Sequence, residues 1–284
     1  MANTLTPEKW ERKESADWWS AGQAARQETL GAVTEMMLDL AGVQRGSRVL
    51  DVAAGTGEST LMAARRASPM GHVLAVDASA SMLRVAAEAA QREGLTNIEI
   101  RVMNAEDLTI ESDSFDAAIS RIALMLFPNP VKALTEMRRV VRPGGKVSVI
   151  VFSTLEKNPY HGFLYETVRR LGNVPLPAPG DPWMYALGET GALEDVYRRA
   201  NFLNVSIRGV PIQRRRQSAA DAVSNMRKGA GDAKELINRL EDGVREQAWA
   251  EIGSSLKDLK DRTALRFRAK CSLGLEPNNR NAEM

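Results

Sequence analysis

Asp51 and Asp77 each close a short run rich in Val, Leu and Ala, and between them lies a turn that contains Gly55 and Gly57. Glycine has no Cβ, so the backbone N–H groups of such a turn can approach a bound group closely. A helix that starts immediately after the turn presents its N-terminus to a negative group such as an amino-acid carboxylate. Asp51 can hold the positive amino group of the same ligand. Asp77, about twenty residues beyond the turn, is placed to accept hydrogen bonds from both hydroxyls of a ribose. Two acidic anchors thus bracket one nucleoside. A nicotinamide dehydrogenase shares this geometry, but its fingerprint is G-x-G-x-x-G. Here the turn reads Ala53-Ala54-Gly55-Thr56-Gly57 with Thr60 at the third glycine position, and the spacing favours a single nucleoside over a dinucleotide.

The elements that must position these groups follow from the apolar pattern. Strands are predicted at Arg48 to Val52, His72 to Val76, Ile98 to Val102, Asp116 to Ile119 and Lys146 to Phe152, each too apolar for a sheet with one wet face. Between them, helices are predicted near Ser59 to Ala67, Ser79 to Glu93 and Val131 to Val141, the last stopped by Arg142-Pro143-Gly144-Gly145. After Phe152 the alternation ends. Ser153 to Gly188 holds five of the twelve prolines and reads as a lid or loop. A helix at Gly191 to Ala200, a strand at Leu203 to Val210, a helical stretch from Ser218 to Leu259 and a strand near Ala264 to Leu273 complete the chain. The expected fold is a doubly wound, Rossmann-like α/β fold, with a seven-stranded, mostly parallel sheet and a helical cap. The expected division is a helical leader over 1–40, a core over 41–210 and 263–275, a lid over 154–190 and a cap over 211–262.

The run Val49 to Glu58 resembles the D-x-G-x-G-x-G turn of the class I S-adenosylmethionine-dependent methyltransferases, with Ala53 in place of the first glycine. The likeness continues through Asp77-Ala78-Ser79-Ala80-Ser81-Met82-Leu83, Asn104-Ala105-Glu106-Asp107-Leu108, Ser114-Phe115-Asp116-Ala117-Ala118 and Glu136 to Gly145. Over residues 45 to 153 these motifs resemble the branch that includes the ubiquinone and menaquinone C-methyltransferases. The resemblance implies S-adenosyl-L-methionine as cofactor, with S-adenosyl-L-homocysteine as product. Its binding residues would be Asp51, Ala53, Gly55, Thr56, Gly57, Asp77, Ala78, Met82, Asn104, Ala105, Glu106 and Ser120. Asn104 stands where family members often carry an Asp facing the adenine amino group, and Met82 would pack on the ring. Ser120 and Arg121 fall where the family lines the floor between cofactor and substrate.

The acceptor side has no motif. Arg121, Trp18, Trp19, Tyr160 and Trp183 are the candidate substrate residues, against the simpler reading that the tryptophans pack leader and lid on the core. His161, just past the fifth strand, is the candidate general base, although loop histidines are more often structural. His72 opens a strand and reads as structural, and the run Arg214-Arg215-Arg216 reads as a solvated face. The 284 residues carry 38 basic and 36 acidic side chains, a formal charge of +2, which argues against a nucleic-acid partner. The single cysteine, Cys271, excludes an intramolecular disulfide and argues against arsenic methylation; no apolar run reaches the length of about eighteen residues that a membrane span needs. The leader MANTLTPEKWERKE has no apolar core of a secretion signal and reads as mobile, and a cytoplasmic location is expected. The expected activity is methyl transfer to an oxygen, nitrogen or carbon of a small organic acceptor by in-line displacement, with no metal and with a homodimer left open. The alternatives are a cofactor-binding protein that does not methylate, a cyclase or sensor, and a nicotinamide-dependent oxidoreductase.

Overall fold

The computed structural model describes residues 10–11, 13–173, 175, 177–214, 218–228, 236–261 and 265–275. All of the leader run before Trp10, together with Arg12, Arg215 and Arg216, lies outside them. The elements in chain order are α1 (Lys13–Ala21), α2 (Gln23–Leu40), β1 (Arg48–Val52), α3 (Glu58–Ala67), β2 (His72–Asp77), α4 (Ala80–Arg92), β3 (Ile98–Val102), β4 (Phe115–Arg121), α5 (Pro130–Val140), β5 (Val141–Phe152), α6 (Pro159–Gly172), α7 (Ala192–Arg199), β6 (Leu203–Arg214), α8 (Ala219–Lys228), α9 (Asp242–Asp261) and β7 (Leu265–Leu275).

The strands form one sheet in the order β3-β2-β1-β4-β5-β7-β6. β1 to β5 pair in parallel, and β7 runs antiparallel between β5 and β6. The sequence of strands reverses between β1 and β4, which creates the crevice at the carboxyl ends where ligands bind in such sheets. Alternation along the strands loads both faces. Val49, Ile119 and Ile150 face Met37 of α2 and Met62 of α3, whereas Leu50, Val52, Ala118 and Val149 face Leu134 and Met137 of α5 and Leu193 and Tyr197 of α7. That two-sided burial explains why these strands read as unbroken apolar runs.

Local chemistry sets the helix starts. Ser79 accepts the Met82 N–H at the head of α4, and Asn129 accepts the Lys132 N–H ahead of Pro130, which opens α5. Three sequence expectations need correction. The lid segment Ser153 to Gly188 contains a helix, α6, because Pro159 sits at its first turn, where a missing N–H costs nothing. β5 begins at Val141, because Val141 pairs with Phe115 before a register shift admits Pro143-Gly144-Gly145 into the strand. β6 runs on to Arg214, past the expected cap boundary at residue 211. The stretch Ser218 to Leu259 holds the helices α8 and α9, as expected, and they pack with α6 in one cluster, through Ala222, Met226, Trp249, Ile252, Leu164 and Val168.

Candidate functional site

The turn after β1 winds through three left-handed residues, Ala53 at φ 57°, Gly55 at φ 56° and Gly57 at φ 88°. At Gly55 the left-handed backbone alone favours glycine, since nothing lies within 4 Å of the position its Cβ would take. Gly57 serves packing instead, since a Cβ there would meet the Ala86 Cβ of α4 at 2.7 Å. The end of β2 holds the turn in place. Asp77 accepts the Gly55 N–H on Oδ2 at 2.8 Å and the Ser79 N–H on Oδ1 at 2.9 Å. Burial pushes the Asp77 carboxyl upward, against these hydrogen bonds.

Asp51 lies under the turn, fully buried. Its Oδ2 accepts the hydroxyls of Ser59 at 2.8 Å and Thr60 at 2.7 Å, while Oδ1 has no hydrogen-bond partner among the described residues. Burial raises this carboxyl to about 6, although Thr60, Ser59 and Arg121 pull it down. A buried acceptor left open in this way is rare in folded proteins. Ser120, also fully buried, has an Oγ with no partner among the described residues.

Glu58 opens α3 and is flanked by two guanidinium groups. Arg26 of α2 donates Nε to Oε1 at 2.7 Å, and Arg121 at the end of β4 brings Nη2 to 3.2 Å from Oε2. Thr56 Oγ1 donates to Oε2 at 3.0 Å. Burial alone would raise the Glu58 carboxyl, but Arg121 and Arg26 hold it below its ordinary value. Arg26 also reaches Thr56 Oγ1 at 3.3 Å and stacks over the Trp19 ring at 4.4 Å. The leader is therefore fastened to the glycine turn and the start of α3 by an ion pair and a hydrogen bond.

These groups surround a cavity of about 210 Å³ at the switch point. Of the sequence-predicted residues, it gathers Ala53, Gly55, Thr56, Asp77, Ala78, Met82, Asn104, Ala105, Glu106, Arg121 and Trp19 into its wall. Asp51, Gly57 and Ser120 stand behind that wall. Asn104 Oδ1 already accepts the Glu106 N–H at 2.9 Å, which leaves the oxygen one further lone pair. Trp18 stacks edge-on against Trp19 and does not line the cavity. Tyr160, His161 and Trp183 are likewise outside its wall. Tyr160 points its hydroxyl at the Ala222 carbonyl, 3.4 Å away. His161 Nδ1 lies 2.6 Å from the hydroxyl of Tyr185, a buried phenol held well above its ordinary range by desolvation, and Trp183 stacks on the same ring. Trp183 N–H donates to the Met125 carbonyl at 3.2 Å, which ties the lid to the turn after β4. His72 stands at the opposite end of the sheet beside Glu99.

Sequence reasoning gave no role to Trp10, Glu58, Met103 and the run Ile122 to Pro128, which supplies Ile122, Ala123, Leu126, Phe127 and Pro128 to the wall. The last run follows a central parallel strand at its carboxyl end, and that position was a readable signal.

Residues 44–175 match the family model described as a methyltransferase domain. That segment is a little under half of the chain, and over it the sequence is similar to methyltransferase domains. The domain has relatives beyond the matched segment. An uncharacterized protein of Mycobacterium tuberculosis is 35% identical over 170 residues, 58% of this chain and 59% of its own. The ubiquinone/menaquinone biosynthesis C-methyltransferase of Pasteurella multocida is 34% identical over 142 residues, 48% of this chain and 53% of its own. The chain thus spans about half the length of the curated relatives it matches. In fold, the methyltransferase domain and its flanks resemble the phosphoethanolamine N-methyltransferase 2 of Haemonchus contortus, solved with S-adenosyl-L-methionine, at TM-score 0.55 and 18% identity over 87% of this chain and 53% of that one. Among the described residues no helix is long and apolar enough to cross a membrane.

Proposed function

We propose that this chain transfers the methyl group of S-adenosylmethionine to an oxygen, nitrogen or carbon of a small organic acceptor. The observation that carries the reading is Asp51 Oδ1, a fully buried carboxylate oxygen without a partner among the described residues, directly behind a glycine turn. An ammonium group is the donor that such an oxygen lacks, and the residues present fit the cofactor. Asp51 would hold the amino group, Asp77 the ribose hydroxyls, and Asn104 the adenine amino group through its remaining lone pair, with Met82 and Ala105 beside the ring. Ser120 would add its hydroxyl from the floor. S-adenosylmethionine supplies an already activated methyl group, so no covalent intermediate with the protein is needed.

The remaining work of the chain is alignment and exclusion of water. Trp10, Trp19 and the Leu126-Phe127-Pro128 turn cover the cavity with apolar surface. Arg121 is held by Glu58 at the floor, where an acceptor would approach. We assign the acceptor side to the lid over 154–190 and the helical cap that follows β6, with Trp18, Tyr160 and Trp183 as its aromatic surroundings. For an acceptor that must lose a proton, His161 is the candidate base, with Tyr185 fixing its ring. In this reading the enzyme works in the cytoplasm, and a homodimer is compatible with it.

Isothermal titration with S-adenosylhomocysteine tests the cofactor assignment, with micromolar affinity as the expected result. Incubation with S-adenosylmethionine and a panel of phenols, amines and quinols then tests transfer. Tight binding without any consumption would assign the protein to the non-methylating cofactor binders, and binding of NADH alone would return it to the dehydrogenases.

A further inference from the structure

The amino-acid end of the cofactor has two charges, and the structure supplies an obvious home for only one. The N-terminus of α3, which the sequence offers to a ligand carboxylate, is already engaged. Glu58 sits in the first turn of α3, and its own carboxylate accepts a hydrogen bond from its own backbone N–H. Gly57, the residue before it, donates its N–H to the Ala54 carbonyl at 3.0 Å. A second carboxylate at this helix end would meet Glu58 before it met the helix dipole.

Opposite this end stands the leader. Trp19 is part of the cavity wall, and its Nε1 is buried with no hydrogen-bond partner among the described residues. Arg26 is not itself in the wall, but it places its guanidinium 4.4 Å from the Trp19 ring and 3.3 Å from Thr56 Oγ1, both of which are wall residues. Arg26 and Arg121 put two cations around the one carboxylate of Glu58. An open acceptor, Asp51 Oδ1, thus lies behind the wall, and the wall residue Trp19 has an open donor, Nε1, with a positive charge beside its ring. That is the complement of a zwitterion.

Resting on the cofactor reading above, we infer that Trp19 Nε1 and Arg26 bind the carboxylate of the methionine moiety. The leader then forms half of the amino-acid subsite, and Trp19 belongs to the cofactor rather than to the acceptor. A hydrogen bond to a charged group sets the size of the effect.

The test compares two ligands on the full chain by isothermal titration. S-adenosylhomocysteine carries the amino-acid group, and 5′-methylthioadenosine has the same nucleoside and thioether without it. Trp19→Phe keeps the ring and removes the donor; it is expected to weaken S-adenosylhomocysteine about tenfold and to leave 5′-methylthioadenosine unchanged. Arg26→Gln is expected to act in the same direction with a larger loss. Retained 5′-methylthioadenosine binding shows that each variant is folded. Equal weakening of both ligands in Trp19→Phe would reduce Trp19 to a packing role and overturn the inference, and so would an unchanged affinity for S-adenosylhomocysteine. If the unaltered protein bound neither ligand, the cofactor reading itself would fall.

Discussion

Thr60 donates its hydroxyl to Asp51 Oδ2 at 2.7 Å, across the turn that joins β1 to α3. In a dinucleotide fingerprint that position is a glycine and has no such hydroxyl. Here it helps to hold a carboxylate that desolvation alone would neutralise.

Asp51 makes stability depend on pH in an unusual direction. Its folded value, about 6, lies above the unfolded value of 3.8, so the fold prefers the protonated form. The stability it contributes is fully present below 3.8 and is lost as pH rises through about 6. Asp51→Asn is therefore expected to stabilise the free protein by about 3 kcal/mol at about pH 8, with the gain fading at about pH 4. Urea denaturation at the two pH values measures this. The same variant is expected to bind S-adenosylhomocysteine poorly, and the unaltered protein is expected to lose affinity as pH falls through about 6.

Asp77 serves both the backbone and the proposed ribose contact. Asp77→Ala removes the acceptor of two N–H groups, at Gly55 and Ser79, and is expected to cost about 2 kcal/mol of stability. Affinity for S-adenosylhomocysteine and for 5′-methylthioadenosine should fall together, by more than about tenfold. Unchanged affinity in a calorimetric titration would end the ribose assignment.

Ala53 adopts φ 57°, a conformation in which its Cβ crowds the following carbonyl. Ala53→Gly relieves that strain and adds freedom to the unfolded chain, and the balance is expected to be a gain of up to about 1 kcal/mol. A thermal melt with a raised midpoint would show it; a lowered midpoint would mean that the methyl group packs usefully in the wall.

Glu58 is the shared partner of Arg26 and Arg121, and all three side chains are largely buried. Glu58→Gln leaves two cations without their counter-charge and is expected to cost about 3 kcal/mol. Because Glu58 is held below its unfolded value of 4.5, its contribution is present above that value and is lost as pH falls through the lower folded one. The difference between the variant and the unaltered protein should accordingly shrink in acid, which chemical denaturation across pH can follow.

The parallel half of the fold was readable because its signals are local. The predicted limits of β1 and β3 coincide with the observed strands: β1 is a buried apolar run, and the edge strand β3 alternates Ile and Val with charged residues. Asp51, Gly55 and Asp77 were legible for the same reason: turn, helix start and strand end adjoin in sequence. The Arg26–Glu58 pair was not, because its partners lie thirty-two residues apart on different helices. α6 was hidden by the prolines around it, of which Pro159 begins the helix instead of preventing it. The early start of β5 depends on Asp116, which pairs with Arg142 at 2.8 Å and accepts the Arg48 N–H at 2.8 Å, a meeting of three strands that no periodicity displays.

The position of β7 between β5 and β6 sets an order on assembly. Among the described residues β6 hydrogen-bonds to no strand except β7, although β6 precedes it by some fifty residues and the helices α8 and α9 intervene. During synthesis the five parallel strands can close around the nucleoside crevice while β6 still lacks its neighbour. Loop-closure entropy for the last two strands is met only when β7 emerges from the ribosome and enters the gap. The half of the protein that would choose the acceptor is thus the half that is finished last.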